Sequence, residues 1–151
     1  NSGDDDCSIL IRNSHMNLWK VPISVLYEIA RRNTPCYYPY VFRPLGDYIQ
    51  NKSCEDFFES PLWILTNVTG IYGASTILYP KMPKRLYEKL GCSYYLLPSS
   101  IHEFLVVPEG AGIYSENLRN IVCEVNETQI EEEEVLADSV YYFDGKNITK
   151  M

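Results

Sequence analysis

Ser99, Ser100, His102 and Glu103 fall within five consecutive positions, and a hydroxyl, an imidazole and a carboxylate are the parts of a hydrolytic triad. Their spacing argues against that assembly. Along a strand, Ser100 and His102 share one side and Glu103 points to the other, so a carboxylate orienting the imidazole would have to come from elsewhere. No GxSxG elbow is present. The plain alternative is that Pro98-Ser99-Ser100 makes a hydrogen-bonded turn with His102 packed beside it. A non-catalytic binding site is the third reading.

His15 is the other histidine. Together with His102 and either Glu103 or a cysteine it could complete a metal site, but nothing in the spacing supports one. Thr66-Asn67-Val68-Thr69-Gly70-Ile71-Tyr72-Gly73 has two glycines and three polar side chains, as a ligand loop does and as an ordinary connection does; it lacks a phosphate-loop pattern. The run Glu131–Glu134 could bind a cation, but it reads rather as the solvated start of a helix, where carboxylates meet the positive end of the dipole. The candidate binding residues are therefore Asn13, His15, Asn67, Ser99, Ser100, His102 and Glu103, with no catalytic residue, metal ligand or cofactor assigned.

The elements that must position these groups follow from the pattern. Ser8–Arg12, with three consecutive apolar residues, reads as a strand interior to a sheet. It wants a neighbour on each side, which implies a missing upstream segment. Asn13–Trp19 reads as a polar loop. Pro22 opens a helix with Val25, Leu26, Ile29 and Ala30 on its apolar face, and Thr34-Pro35 stops it. Val41–Arg43 is a short strand, and Gly46–Ser60 is ambiguous. Leu62–Thr66 and Ala74–Tyr79 read as strands, followed by a helix opened by Pro83 and closed by Gly91. Tyr94–Leu97 and Ile101–Val107 are again strands, followed by a helix capped by Ser115 with Leu118, Ile121, Val122 and Val125 on one face. Thr128-x-x-Glu131 is a capping-box pattern for a short helix through Leu136. Val140–Phe143 is the last strand. The fold class is α+β: an antiparallel-rich sheet built from strand-strand-helix units, with helices packed mainly on one face.

The chain has 151 residues, one domain's worth. Residues 1–6 form an acidic lead-in expected to be flexible, and 7–151 a single domain. The net charge is −7, and no Lys or Arg lies between Arg119 and Lys146, which speaks against a nucleic-acid partner. Lys81, Lys84, Arg85 and Lys89 read as the solvated face of one helix. Five cysteines at long spacings without a CxxC point neither to a disulfide framework nor to zinc; Cys92 and Cys123 read as core thiols. With no signal peptide or membrane-length apolar run, the expected compartment is the cytoplasm, no membrane partner is expected, and the four N-x-S/T sequons are read as chance.

Several strings together carry a resemblance: Ser8-Ile9-Leu10-Ile11-Arg12-Asn13-Ser14-His15-Met16-Asn17-Leu18-Trp19, the helix end Ala30-Arg31-Arg32-Asn33-Thr34-Pro35, Leu65-Thr66-Asn67, Gly73-Ala74, Leu97-Pro98-Ser99-Ser100-Ile101-His102-Glu103, and Leu136-Ala137-Asp138-Ser139-Val140-Tyr141-Tyr142. In this order they resemble a family of unknown function found mainly in gut-dwelling Gram-positive anaerobic bacteria, over nearly the whole chain from about Cys7. Where that family usually has Leu-Ser-Asp, this chain has Leu136-Ala137-Asp138, which weakens any role for a hydroxyl there. The resemblance implies a protein about twice this length, with this chain as its C-terminal half; it implies no activity, substrate or cofactor. The reading of function is a non-catalytic interaction or ligand-binding module whose partner is the missing N-terminal half. An apolar sheet edge left open could also drive assembly into a homo-oligomer. The alternative is a hydrolase using the Ser99–Glu103 corner with His15 nearby.

Overall fold

The computed structural model describes residues 9–49, 62–98, 100–113, 117–120, 122–123 and 131–151. Among the described residues six strands make one antiparallel sheet: β1 (Tyr40–Pro44), β2 (Trp63–Asn67), β3 (Tyr94–Leu97), β4 (Phe104–Pro108), β5 (Tyr141–Phe143) and β6 (Ile148–Lys150), in the order β1-β2-β4-β3-β5-β6. The protein is α+β with an antiparallel sheet. Strand register sorts the side chains cleanly. Phe42 faces Leu65, Leu65 faces Phe104, Leu96 faces Val106, and Tyr94 faces Phe143. These residues line one face and form the larger core with Met82 and Leu86 of α4 (Met82–Leu90). The alternate positions Leu97, Val107 and Val140 line the other face. Leu118 and Val122, from the helical residues 117–120 and 122–123, cover them. β3 and β4 are buried on both faces, which is why their sequences read as unbroken apolar runs.

α4 follows the expected chemistry. Pro83 sits in its first turn, and Gly91 caps its end in the left-handed conformation at φ 74°. Lys81, Lys84, Arg85 and Lys89 are exposed. Lys89 also lays its stem inward: Nζ donates to the Phe42 carbonyl at 2.6 Å and stands 5.2 Å from the Phe42 ring centre. Cys92 and Cys123 are half-buried free thiols rather than core ones.

The N-terminal part departs from the sequence reading. Among the described residues Ile9–Arg12 pairs with no strand, and Ile9, Leu10 and Ile11 are exposed; Ser8 lies outside the described residues. Arg12 instead precedes α1 (Asn13–Trp19), in the stretch read as a loop. The reason is local: His15 Nδ1 accepts the Arg12 N–H at 3.1 Å, occupying a donor that a strand would need, in the manner of a capping box. α2 (Ile23–Tyr37) begins after Pro22 as expected but runs through Pro35 to Tyr37. A proline this close to the end forgoes one backbone bond, and the Tyr38 N–H still closes on Thr34 at 2.8 Å.

Ala74–Tyr79, read as a strand, is mostly a 3-10 helix, Gly73–Leu78, so the first unit is strand, 3-10 helix, helix. Its hydroxyls dictate this: Ser75 Oγ donates to the Tyr72 carbonyl and Thr76 Oγ1 to the Gly73 carbonyl, each three residues back. The expected helix through Leu136 is a single 3-10 turn, Glu132–Glu134, flanked by extended backbone at Glu131 and Val135; Thr128 lies outside the described residues. Tyr141–Phe143 is not the last strand, because Asp144 turns the chain into β6. α3 (Leu45–Ile49) falls in the ambiguous stretch, most of which, like Ser115, lies outside the described residues.

Candidate functional site

Four of the seven candidate residues meet in one corner, where the end of β2, the start of the 3-10 segment and the β3–β4 connection converge. Ser100 is buried. Its Oγ donates to Glu103 Oε1 at 2.8 Å and accepts the His102 N–H at 3.0 Å. The turn is thus closed by its own side chains. His102 then reaches outward from it in three directions. Its carbonyl accepts the Thr66 hydroxyl at 2.8 Å, its Nδ1 accepts the Tyr72 N–H at 3.0 Å, and its Nε2 stands 3.1 Å from Glu134 Oε1.

These contacts fix the tautomer. An Nδ1 that accepts from a backbone N–H carries no proton in the neutral ring, so the proton is on Nε2 and is donated to the Glu134 carboxylate. Both ring nitrogens are occupied, and neither by Ser100. The hydroxyl–imidazole bond of a nucleophile and its base is replaced here by a hydroxyl–carboxylate bond within the turn.

Asn67 organises the adjacent loop. Its Oδ1 accepts from the Thr69 N–H, the Thr69 hydroxyl and the Gly70 N–H, and its Nδ2 donates to the Ile71 carbonyl. A buried amide with its oxygen and nitrogen both engaged holds the loop's shape. The loop ends at Tyr72, which takes a left-handed φ of 52°. That conformation costs an ordinary residue roughly 1–2 kcal/mol. The bond to His102 Nδ1 and the contact between the two rings, 5.7 Å between centres, offset it. Gly73 follows because nothing larger fits: a Cβ there would overlap Thr66 Oγ1 and the His102 carbonyl.

Asn13 and His15 are in α1, where His15 bonds Arg12 and stacks on Trp19 at 5.6 Å between ring centres. The contacts of His15 are local, and both residues belong to that helix rather than to the corner. Ser99 lies outside the described residues. Among the described residues no group of three or more His, Cys, Asp or Glu is placed to hold a metal ion, and no helix is long and apolar enough to cross a membrane.

Thr66, Tyr72, Gly73 and Glu134 lie in stretches weighed in the sequence but are not among the candidate residues named there. Glu134 had the faintest signal. It sits in a run of four glutamates, and only its position at the end of the turn brings it back to the sheet: the Ile101 N–H donates to its carbonyl at 2.9 Å. The corner thereby pins the chain just before Leu136 against the 3-10 segment.

Beside this clasp lies an apolar groove. One cavity of ≈ 380 Å³ is lined by Ile77, Leu78, Leu96, Phe104, Leu136 and Tyr141, among others. A second, of ≈ 350 Å³, shares Ile77, Leu78, Phe104 and Leu136 and extends to Tyr72. Leu78 and Leu136 form its walls while 56% and 42% exposed.

The corner's strings belong to a wider pattern. A family of unknown function, DUF5688, matches residues 1–145. This chain belongs to DUF5688. The match spans α1, strands β1 to β5 and the clasp, so these parts of the DUF5688 chain fall within one family unit. No curated protein matches the DUF5688 chain, and no solved structure does.

Proposed function

We propose that this DUF5688 chain is a non-catalytic interaction module and that its binding face is the apolar groove between Leu78 and Leu136. The observation that carries the reading is the division of labour at the corner. The polar atoms of Ser100, His102 and Glu134 engage one another and the backbone, and what they hold in place is an open apolar surface. A built groove walled by half-exposed leucines is the form of a polypeptide-binding site. On the Leu136 side its flank is acidic: Glu131–Glu134 precede Leu136, Asp138 follows it, and no cation occurs between them. The ligand that suits this surface is an apolar polypeptide segment bearing Lys or Arg. The bacterial, cytoplasmic setting, the gut-dwelling source and the place of the chain as a C-terminal half are part of the same proposal and rest on the string resemblance.

The test is titration of synthetic peptides that share length but differ in apolar content and sign of charge. Apolar, basic peptides bind, more weakly at high salt, and Leu136→Asp removes the binding while leaving the melting transition in place. Absence of binding by any apolar, basic peptide, or binding unchanged in Leu136→Asp, overturns the reading.

A further inference from the structure

Ile9, Leu10, Ile11, Leu18, Trp19 and Ile23 are all exposed, Leu10 at 76% and Leu18 at 77%, and α1 buries no residue at all. A contiguous stretch this apolar and this uncovered marks a surface that is covered by something else. Its charge is of one sign: Arg12 and Lys20 are its ionic residues between positions 9 and 27, with no carboxylate. The stretch is therefore an apolar, basic segment, the chemistry that the acidic-flanked groove suits.

We propose that residues 9–23 of one chain dock in the Leu78–Leu136 groove of a second copy, so that two chains exchange arms and close a two-fold dimer. The inference rests on the groove reading above. Trp19 and Leu18 supply the anchors, and Arg12 and Lys20 meet the Glu131–Glu134 flank. Reciprocal exchange covers the apolar arm and the groove of both chains at once. An anionic lipid surface would also take an apolar, basic arm. The second copy is favoured because the same chain carries the acidic complement, and a net charge of −7 opposes approach to an anionic membrane.

The experiment is sedimentation velocity on the full chain across a concentration series at low and high salt, with Trp19 emission read in parallel in a Trp63→Phe background. The wild type dimerises, its dimer dissociation constant rises with salt, and Trp19 emission shifts to the blue as dimer forms. R12E/K20E and E132K/E133K each weaken the dimer about tenfold or more, and mixing the two variants restores association. Both pairs are exposed, so circular dichroism melts stay close to wild type. A wild type that stays monomeric throughout overturns the proposal, as does a dimer unaffected by either variant, or an arm that partitions onto anionic vesicles while Trp19 ignores protein concentration. Peptide titration of R12E/K20E separates the two readings. Peptides that bind R12E/K20E while the wild type stays monomeric leave the groove reading standing and remove only the exchange.

Discussion

His102 and Glu134 are joined on two levels. The imidazole Nε2 stands 3.1 Å from the carboxylate, and the Ile101 N–H next door donates to the Glu134 carbonyl at 2.9 Å. The side-chain bond is half-shielded, with His102 24% and Glu134 40% exposed at their side chains. It therefore belongs between the weak surface pairs and the costly buried ones.

Removing the imidazole should hurt the fold. His102→Ala leaves the Tyr72 N–H and the Glu134 carboxylate without this partner, and urea melts should show a loss of about 1–3 kcal/mol. Glu134→Gln keeps an acceptor and should lose under about 1 kcal/mol. If His102→Ala melts with the wild type, the clasp does not hold the fold.

The tautomer can be read directly. Nitrogen-15 spectra of the neutral ring should show His102 Nε2 protonated and Nδ1 as an unprotonated acceptor. His102→Gln should shift the Tyr72 amide more than the Thr66 amide, because the His102 carbonyl that Thr66 bonds is backbone and survives the substitution. A protonated Nδ1 in the neutral ring would contradict the Tyr72 bond.

Gly73 and Gly91 should respond differently to alanine. At Gly73 a methyl meets Thr66, the His102 carbonyl and the Asn67 N–H, so Gly73→Ala should cost more than about 3 kcal/mol or prevent folding. At Gly91 there is open space but a φ of 74°, so the cost should be about 1 kcal/mol of backbone strain. Thermal melts of the two variants side by side check the ranking.

Asp144 makes the β5–β6 turn sensitive to acid. Its carboxylate accepts the Asn147 and Lys146 N–H groups, each at 2.7 Å, and these bonds lower its pKa below the usual carboxylate value. A lowered folded-state pKa stabilises the fold above the unfolded-state value, and this contribution is lost as pH falls through the folded one. The β5–β6 turn should loosen at the acid end, and Asp144→Asn should flatten that dependence. Amide exchange of Thr149 and Lys150 across a falling pH series is the measurement.

The sheet's centre was legible because β2, β3 and β4 are apolar runs too short for helices, bounded by Pro, Gly and Ser. α4 was legible because Pro83 and Gly91 act through the backbone wherever they stand. Three local bonds defeated the pattern elsewhere. His15 folds back on Arg12, and the Ser75 and Thr76 hydroxyls close a 3-10 turn in a sequence whose Thr-Ile-Leu-Tyr suggests a strand. Of the candidate site, Ser100, His102, Glu103 and Asn67 were identifiable by type, and the corner is the hydrogen-bonded turn expected there; the role of the imidazole as a clasp was not legible. That role depends on the Tyr72 N–H and on Glu134, and no periodicity relates either of these to His102.

The strand order has a consequence for synthesis. β2 lies between β1 and β4, yet β4 is made only after α4 and β3. As the chain leaves the ribosome, Trp63–Leu65 can pair with β1 on one side while the other side keeps its N–H and C=O groups unmatched. That apolar margin stays open to any extended chain until Phe104–Val106 arrives. The growing protein is thus more prone to stray association than the finished one, and for an interval set by the rate of translation.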